Sequence, residues 1–212
     1  MKHDVVERAI VIARGERPER EGARRLESLL AERARVPTAV IALDHVDPRA
    51  DYTVGDGDSL AAAEKAALGA RFIHEEEQET NDLAKAFRFA RRLGARELVI
   101  FGATGRREDH AIGNIFHLAE FAAAGMECSI VSDWGEFTVV LPGAARRYAA
   151  ETGDAFSVFA VEPGTEAVSE GLAWPLAGAD LSRLWAGTLN RATAREVVVS
   201  ANRPLIVYRA FP

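Results

Sequence analysis

Through residue 133, short apolar blocks alternate with longer stretches of helical period. Residues 9–13 (Ala-Ile-Val-Ile-Ala) and 38–43 are continuous apolar runs, and each predicts a strand buried on both faces. Between them, 18–35 carries Leu26, Leu29 and Leu30 on one helical face. An Ala-rich helix is predicted over 60–68 and a short strand over 71–73. A helix over 81–93 presents Leu83, Phe87 and Ala90, with Gly94 as its stop. A strand over 97–101, a helix over 111–124 closed by Gly125, and a strand over 128–131 complete the series. Strands alternating with helices predict a mainly parallel sheet with helices on its faces. In such sheets ligands bind beyond the carboxyl ends of the strands.

From Trp134 the period changes. Strand-like blocks at 137–141, 146–150, 156–161, 196–200 and 205–209 are separated by Pro142-Gly143, Thr152-Gly153-Asp154 and Pro163-Gly164, without helical spacing. That predicts a small all-β unit, sandwich-like. The expected fold is α/β: a three-layer N-terminal domain over 1–133, then an all-β domain over 134–212.

Composition changes this picture by exclusion. The chain is 48% hydrophobic and 27% charged, ordinary for a globular protein. Its net charge of −6, with no cluster of basic residues, argues against a nucleic-acid surface. No run reaches the roughly 18 apolar residues of a membrane span. The start, Met-Lys-His-Asp, lacks the apolar stretch of a leader, so a cytoplasmic location is expected. The single cysteine, Cys128, lies in an apolar run and reads as buried and inert.

Three polar clusters follow predicted strands. Gly55-Asp56-Gly57-Asp58-Ser59 sets two carboxylates two residues apart, either a polar turn or oxygen ligands for a hard cation. Residues 75–82 (Glu-Glu-Glu-Gln-Glu-Thr-Asn-Asp) read as a solvated acidic loop with a helix cap, or as a second arm of that cation site. Residues 102–110, from Gly102 to His110, combine glycines and arginines before a helix, a composition suited to phosphate. The spacing is neither that of a P-loop nor of a dinucleotide fingerprint. His110 is either a base or a structural residue at a helix start. Taken together, the clusters describe a pocket for a metal ion and a polyphosphate.

These residues resemble the thiamine pyrophosphokinase family. Gly55 to Leu60 is similar to its GD-x-DS(L/I) motif, and Gln78-Glu79-Thr80-Asn81-Asp82 with Lys85-Ala86 to its acidic T-D-x-x-K-A segment. Gly102 to Gly105, then Arg107, Asp109, His110 and Gly113-Asn114, resemble GATG-(G)-R-x-DH-x-x-GN. Gly171 to Leu176 resembles GL-x-WPL, and Gly187 to Asn190 resembles GTSN. The resemblance implies a catalytic α/β domain, a β domain that binds thiamine and dimerises, and transfer of diphosphate from ATP to the hydroxyethyl group of thiamine, giving AMP.

By position, it assigns Asp56, Asp58, Glu79 and Asp82 to Mg²⁺, with Asp56, Asp58 and Asp82 as the catalytic carboxylates. It assigns Asp44, Ser59, Thr104, Gly105, Arg107, Asp109 and His110 to the nucleotide. Gln78, Trp174, Thr188 and Asn190 go to thiamine, although Trp174 beside Pro175 also suits a core tryptophan. The chain departs from the pattern at Arg14 (for Asn), at His45-Val46 (after Asp44, where the family has glycine), at Arg106 (for Gly) and at Leu189 (for Ser). The alternatives are the same transfer to another alcohol, or a nucleotide- or thiamine-binding protein without turnover.

Overall fold

The computed structural model describes residues 5–212. Residues 1–4, part of the stretch read above as free of a leader, lie outside the described residues. β1 (Arg8–Ile12) leads through α1 (Glu21–Ala31) to β2 (Thr38–Leu43). Then come β3 (Tyr52–Gly55), α2 (Ala62–Leu68), β4 (Phe72–His74), α3 (Asp82–Arg92), β5 (Glu97–Phe101), α4 (Glu108–Ala123) and β6 (Glu127–Val131). The remainder is β7 (Gly135–Val140), β8 (Ala145–Ala149), β9 (Ala155–Ala160), β10 (Ala167–Glu170), β11 (Asn190–Arg191), β12 (Glu196–Ala201) and β13 (Leu205–Ala210).

One ten-stranded sheet has the order β11-β9-β13-β7-β6-β5-β1-β2-β3-β4, and β10-β12-β8 form a second sheet. The strands β6 to β4 pair in parallel. Because both faces of the central strands are covered, β1, β2 and β5 run continuously apolar after their first residue rather than alternating. Ile10, Ile12, Val40, Val99, Phe101 and Val131 pack with Leu26 and Leu29 of α1 on one face. Their sequence neighbours, such as Ala9, Val11, Ile41, Leu98 and Ile100, pack with α3 and α4 on the other. The chain runs β1 to β4 in one direction across the sheet and then returns to place β5 on the other side of β1. The switch point of the topology is therefore between β1 and β5.

β6 and β7 pair antiparallel, so the sheet continues across the turn at 132–134, where the sequence pattern changes. β7 and β13 then serve two cores. Val139 and Ile206 face the α/β core, while Val140, Leu205 and Val207 face a second core shared with Val197 and Val199 of β12. The C-terminal part is antiparallel throughout.

Differences from the predicted elements have local causes. α1 begins at Glu21 rather than 18, because its N-terminus is capped from outside. Asp133 Oδ2 accepts from the Glu19 N–H at 2.6 Å, and Oδ1 from Arg20 and Gly22 at 2.9 and 3.0 Å. Burial opposes ionisation of Asp133, yet these backbone donors hold its pKa below the usual carboxylate range. α4 starts earlier than expected, with Glu108 and Asp109 in its first turn, where acids complement the helix dipole. β3, β10 and β11 are short strands specified by their partners rather than by a run of their own.

Candidate active site

The carboxyl ends of β2 and β3 bring the first acidic residues together. Asp44 adopts a left-handed backbone, φ 47°, which turns its carboxylate back against the sheet. It is only 3% exposed. A Cβ on Gly55 would stand 2.8 Å from the Asp44 Cβ, so glycine there is what allows the approach. Asp44 Oδ2 accepts from the Ser59 N–H at 3.0 Å. Its Oδ1 is buried and has no partner among the described residues, a position that favours a cation over water-free isolation.

Asp56 follows directly. Its Oδ1 accepts from the Asp58 N–H and its Oδ2 from Gln78 Nε2, both at 3.0 Å. The Asp58 N–H, then Gln78, hold its pKa below the ordinary value. His74 Nε2 donates to the Asp56 carbonyl at 2.9 Å, which fixes the backbone of this loop.

The third carboxylate comes from α3. Asn81 caps the helix by accepting from the Ala84 N–H, and Asp82 occupies the first turn. Three residues on, Lys85 turns to the same side. Lys85 is 1% exposed, among the largest fully buried side chains of the protein. Its Nζ lies 3.3 Å from Asp82 Oδ1 and 3.8 Å from Asp56 Oδ2. A lysine is buried only where its charge is matched, and here two carboxylates do so. Burial raises the Asp82 pKa, against the opposing pull of Lys85, and Asp56 and Asp44 add to the rise.

The acidic loop before α3 is less free than its sequence suggests. Glu75 pairs with Arg92 and Glu77 with Arg88, each at 2.5 Å. The Thr80 hydroxyl and Arg88 together keep the Glu77 pKa down at about 2. The loop is thereby tied to α3 by ion pairs, whereas the carboxylates of Asp58 and Glu79 have no partner among the described residues.

Across the sheet, the loop after β5 is linked to the same cluster through amides. Asn114 Nδ2 donates to the Ala103 carbonyl at 2.8 Å, and Asn81 Nδ2 donates to Asn114 Oδ1 at 3.0 Å. Thr104 gives its carbonyl to the Glu16 N–H at 2.8 Å. Arg107 forks onto Asp109, with contacts of 3.1 and 2.6 Å. Asp109 Oδ1 also accepts from the His110 N–H, so Arg107 and Asp109 are mutually satisfied on the surface.

The C-terminal residues of interest form a separate group. Asn190 is buried and spends its side chain on the backbone of Trp174, accepting from its N–H at 3.1 Å and donating to its carbonyl at 2.6 Å. The Trp174 indole is 62% exposed, so it is not a core tryptophan. Thr188 donates its hydroxyl to the Trp185 carbonyl at 2.7 Å. Leu189, at φ 61°, is 74% exposed and does not face the β core. Trp185 and Leu184 are exposed beside it in sequence.

Of the residues singled out in the sequence, the fold thus gathers Asp44, Asp56, Ser59, Gln78 and Asp82 in one cluster. Asp58 and Glu79 stand at its edge without side-chain contact to it, and among the described residues no three acidic, His or Cys groups converge as a complete metal site. Thr104, Gly105, Arg107, Asp109 and His110 line the neighbouring loop. Trp174, Thr188 and Asn190 lie in the antiparallel part, with no hydrogen bond or ion pair to the acidic cluster. Lys85 lies within the acidic motif, but residue type alone assigns it no role. Its signal was the three-residue spacing from Asp82, which puts acid and base on one helix face.

Comparison with known proteins identifies the family. Residues 24–130 match the family described as thiamin pyrophosphokinase, catalytic domain, and residues 135–208 match thiamin pyrophosphokinase, substrate-binding domain. No curated protein matches the chain in sequence. Among solved structures, thiamine pyrophosphokinase from Bacillus subtilis superposes with a TM-score of 0.75 at 19% identity, covering 97% of this chain and 100% of that one. The Geobacillus thermodenitrificans thiamin pyrophosphokinase gives 0.72 at 21%, covering 97% and 98%. The Candida albicans enzyme gives 0.75 at 11%, covering 98% and 90%. At such identities the superpositions establish the fold, while the sequence matches, the first of which alone spans half of the residues, show that the chain belongs to the thiamin pyrophosphokinase family.

Proposed function

We propose that the cluster of Asp44, Asp56, Asp82 and Lys85 is where the family reaction proceeds: diphosphate passes from ATP to the hydroxyethyl oxygen of thiamine, and AMP leaves. The observation that carries this is a fully buried lysine between two carboxylates, beside a carboxylate oxygen with no partner. A structural ion pair needs no orphaned third acid next to it. A site that receives a cation and a polyphosphate does.

The donor set fits Mg²⁺. This ion takes one or two protein carboxylates and completes its shell with water and phosphate oxygens. One or two of Asp44, Asp56 and Asp82 would hold it, with Asp58 and Glu79 as the further acids of the site, and its charge would offset that of the triphosphate. Lys85 fixes the orientation of Asp56 and Asp82 and keeps their mutual repulsion in check. Gln78 holds the free edge of Asp56. Asp82, at the mouth of the cluster, accepts the proton of the attacking hydroxyl. Ser59, Thr104, Gly105, Arg107, Asp109 and His110 form the nucleotide side. Positioning and charge neutralisation together supply most of the rate.

The antiparallel part, 134–212, supplies thiamine contacts and the dimer surface in this reading. Trp174 and Leu189 are apolar groups left exposed by the described residues, which favours a two-fold homodimer in which each acidic cluster faces a partner's tryptophan. Asn190 acts as a positioning residue for Trp174. Use of ATP suits a cytoplasmic setting. One observation favours an altered acceptor, the same transfer onto another alcohol: the exposed Leu189 replaces a hydroxyl side chain at the proposed acceptor site. Incubation with ATP, Mg²⁺ and thiamine should give AMP and thiamine diphosphate in equal amounts. Failure of thiamine, with turnover of a competing alcohol, would transfer the assignment to that acceptor.

A further inference from the structure

Beyond the carboxyl ends of β1 and β2 lies a cleft of about 280 Å³, walled by the loops that follow these strands and by Arg106 from the loop after β5. Val46 and Pro48 contribute apolar surface, and Arg14, Arg17, His45 and Arg106 stand around it. The loops that wall it are zipped together by backbone bonds. The Gly15 N–H donates to the Gly102 carbonyl at 2.6 Å and the Glu16 N–H to the Thr104 carbonyl at 2.8 Å. A Cβ on Gly15 would collide with both carbonyl oxygens. These N–H groups are spent, so they cannot cradle an anion, and recognition of negative charge here falls to side chains.

The side chains available are arginines. Neither Arg14 nor Arg106 has a hydrogen-bond or ion-pair partner for its guanidinium among the described residues, and Arg17 reaches Asp47 only at 4.0 Å. Arg107, by contrast, is closed onto Asp109. Arg106 also sits at φ 63°, in the left-handed region that favours glycine. Arg106 thus holds a free charge at the rim of the cleft in spite of a local backbone cost. Arg14, His45 and Arg106 are, moreover, the positions at which the chain departs from the family pattern on the nucleotide side. All three converge on this one cleft.

We propose that Arg14 and Arg106 are binding residues for the donor nucleotide. They grip the α-phosphate of the nucleotide by charge while the nucleoside lies over the apolar surface of Val46 and Pro48. The proposal rests on the diphosphate-transfer reading. In that reaction the acceptor oxygen bonds to Pβ and the bond from Pβ to the bridging oxygen breaks. That oxygen leaves with the electron pair as part of the α-phosphate of AMP, and the hydroxyl proton passes to a carboxylate. A guanidinium beside the α-phosphate therefore meets charge that grows as the bond breaks.

Titration of the full-length protein with AMP, and with adenosine as the phosphate-free control, tests this. Arg106→Gly gives the backbone the residue it prefers, so the variant should melt no lower than the parent. It should bind AMP about tenfold more weakly, the scale of one charge-assisted hydrogen bond, with adenosine unchanged. Arg14→Gln, also on the surface, should repeat the loss. Full AMP affinity in both variants overturns the assignment, as does an equal loss of AMP and adenosine. The two readings fail separately: a parent enzyme that releases ADP overturns the transfer reading and this proposal with it. A parent that releases AMP, with AMP affinity intact in both variants, overturns only the role of the arginines.

Discussion

The α/β half and the antiparallel half of this protein hold their polar chemistry in opposite ways. In the first, Lys85 is buried between Asp56 and Asp82, Gln78 braces Asp56, and paired amides join α3 to the loop after β5. The site is pre-organised by its own chain. In the second, the candidate groups are an exposed tryptophan and an exposed leucine held only through backbone contacts, and the buried Asn190 serves to fix a loop. Charge needs a desolvated, fully satisfied frame before it can act on phosphate. The cationic thiazolium ring of thiamine suits aromatic surface, which an exposed tryptophan offers.

Substitutions can break or sharpen this contrast, and the largest effect belongs to the α/β half. Asp56→Asn removes a carboxylate from the cluster while keeping its shape. Turnover should fall by roughly a thousandfold, in keeping with the loss of a principal electrostatic group. The melting temperature should fall less than for loss of the lysine, because Lys85 keeps Asp82 as its nearer counter-charge. Near-parental rates in excess Mg²⁺ would take Asp56 out of the site.

Lys85→Met is next. It preserves volume but leaves Asp56 and Asp82 facing each other without a counter-charge. Since Asp82 is partly open to solvent, the loss should be about 3 kcal/mol, at the low end for a broken buried pair, or roughly 6–12 °C in melting temperature. Mg²⁺ should restore part of it by supplying the missing positive charge. A variant as stable as the parent without Mg²⁺ would show that the lysine is not holding the two acids together.

In the antiparallel half the effects should be smaller and confined to one substrate. Trp174→Ala should raise the thiamine KM about tenfold, on the scale of an aromatic contact with a cationic ring, and leave the ATP KM alone. Equal changes in both would mean that the two halves do not divide the substrates. Leu189→Ser should change the thiamine KM by roughly tenfold at most. Because the side chain is exposed, stability should stay within about 0.5 kcal/mol. A large loss of stability would contradict the exposed placement.

The contrast also marks what the sequence could convey. The continuous apolar runs at 38–43 and 97–101 reproduce β2 and β5 residue for residue, because strands buried on both faces carry a strong one-dimensional signal. β11 has only two residues and forms because Phe156 and Ala155 are there to pair with it, which no local pattern encodes. The start of α1 was misplaced for the same reason, its cap being Asp133, over a hundred residues away. Within the site, Asp56 and Asp82 were legible as acids near strand ends. The orphaned oxygen of Asp44, the pairing of Arg107 with Asp109 and the exposure of Leu189 are facts of packing. None of them follows from residue type and spacing alone.

The claim on which the rest depends is transfer of a diphosphate, and the position of a label decides it. ATP carrying labelled phosphorus only at the β position should be incubated with thiamine, Mg²⁺ and the full-length protein, and the products separated. The label should appear in thiamine diphosphate, with unlabelled AMP formed in equal amount. Labelled ADP together with a singly phosphorylated thiamine would contradict diphosphate transfer at this site.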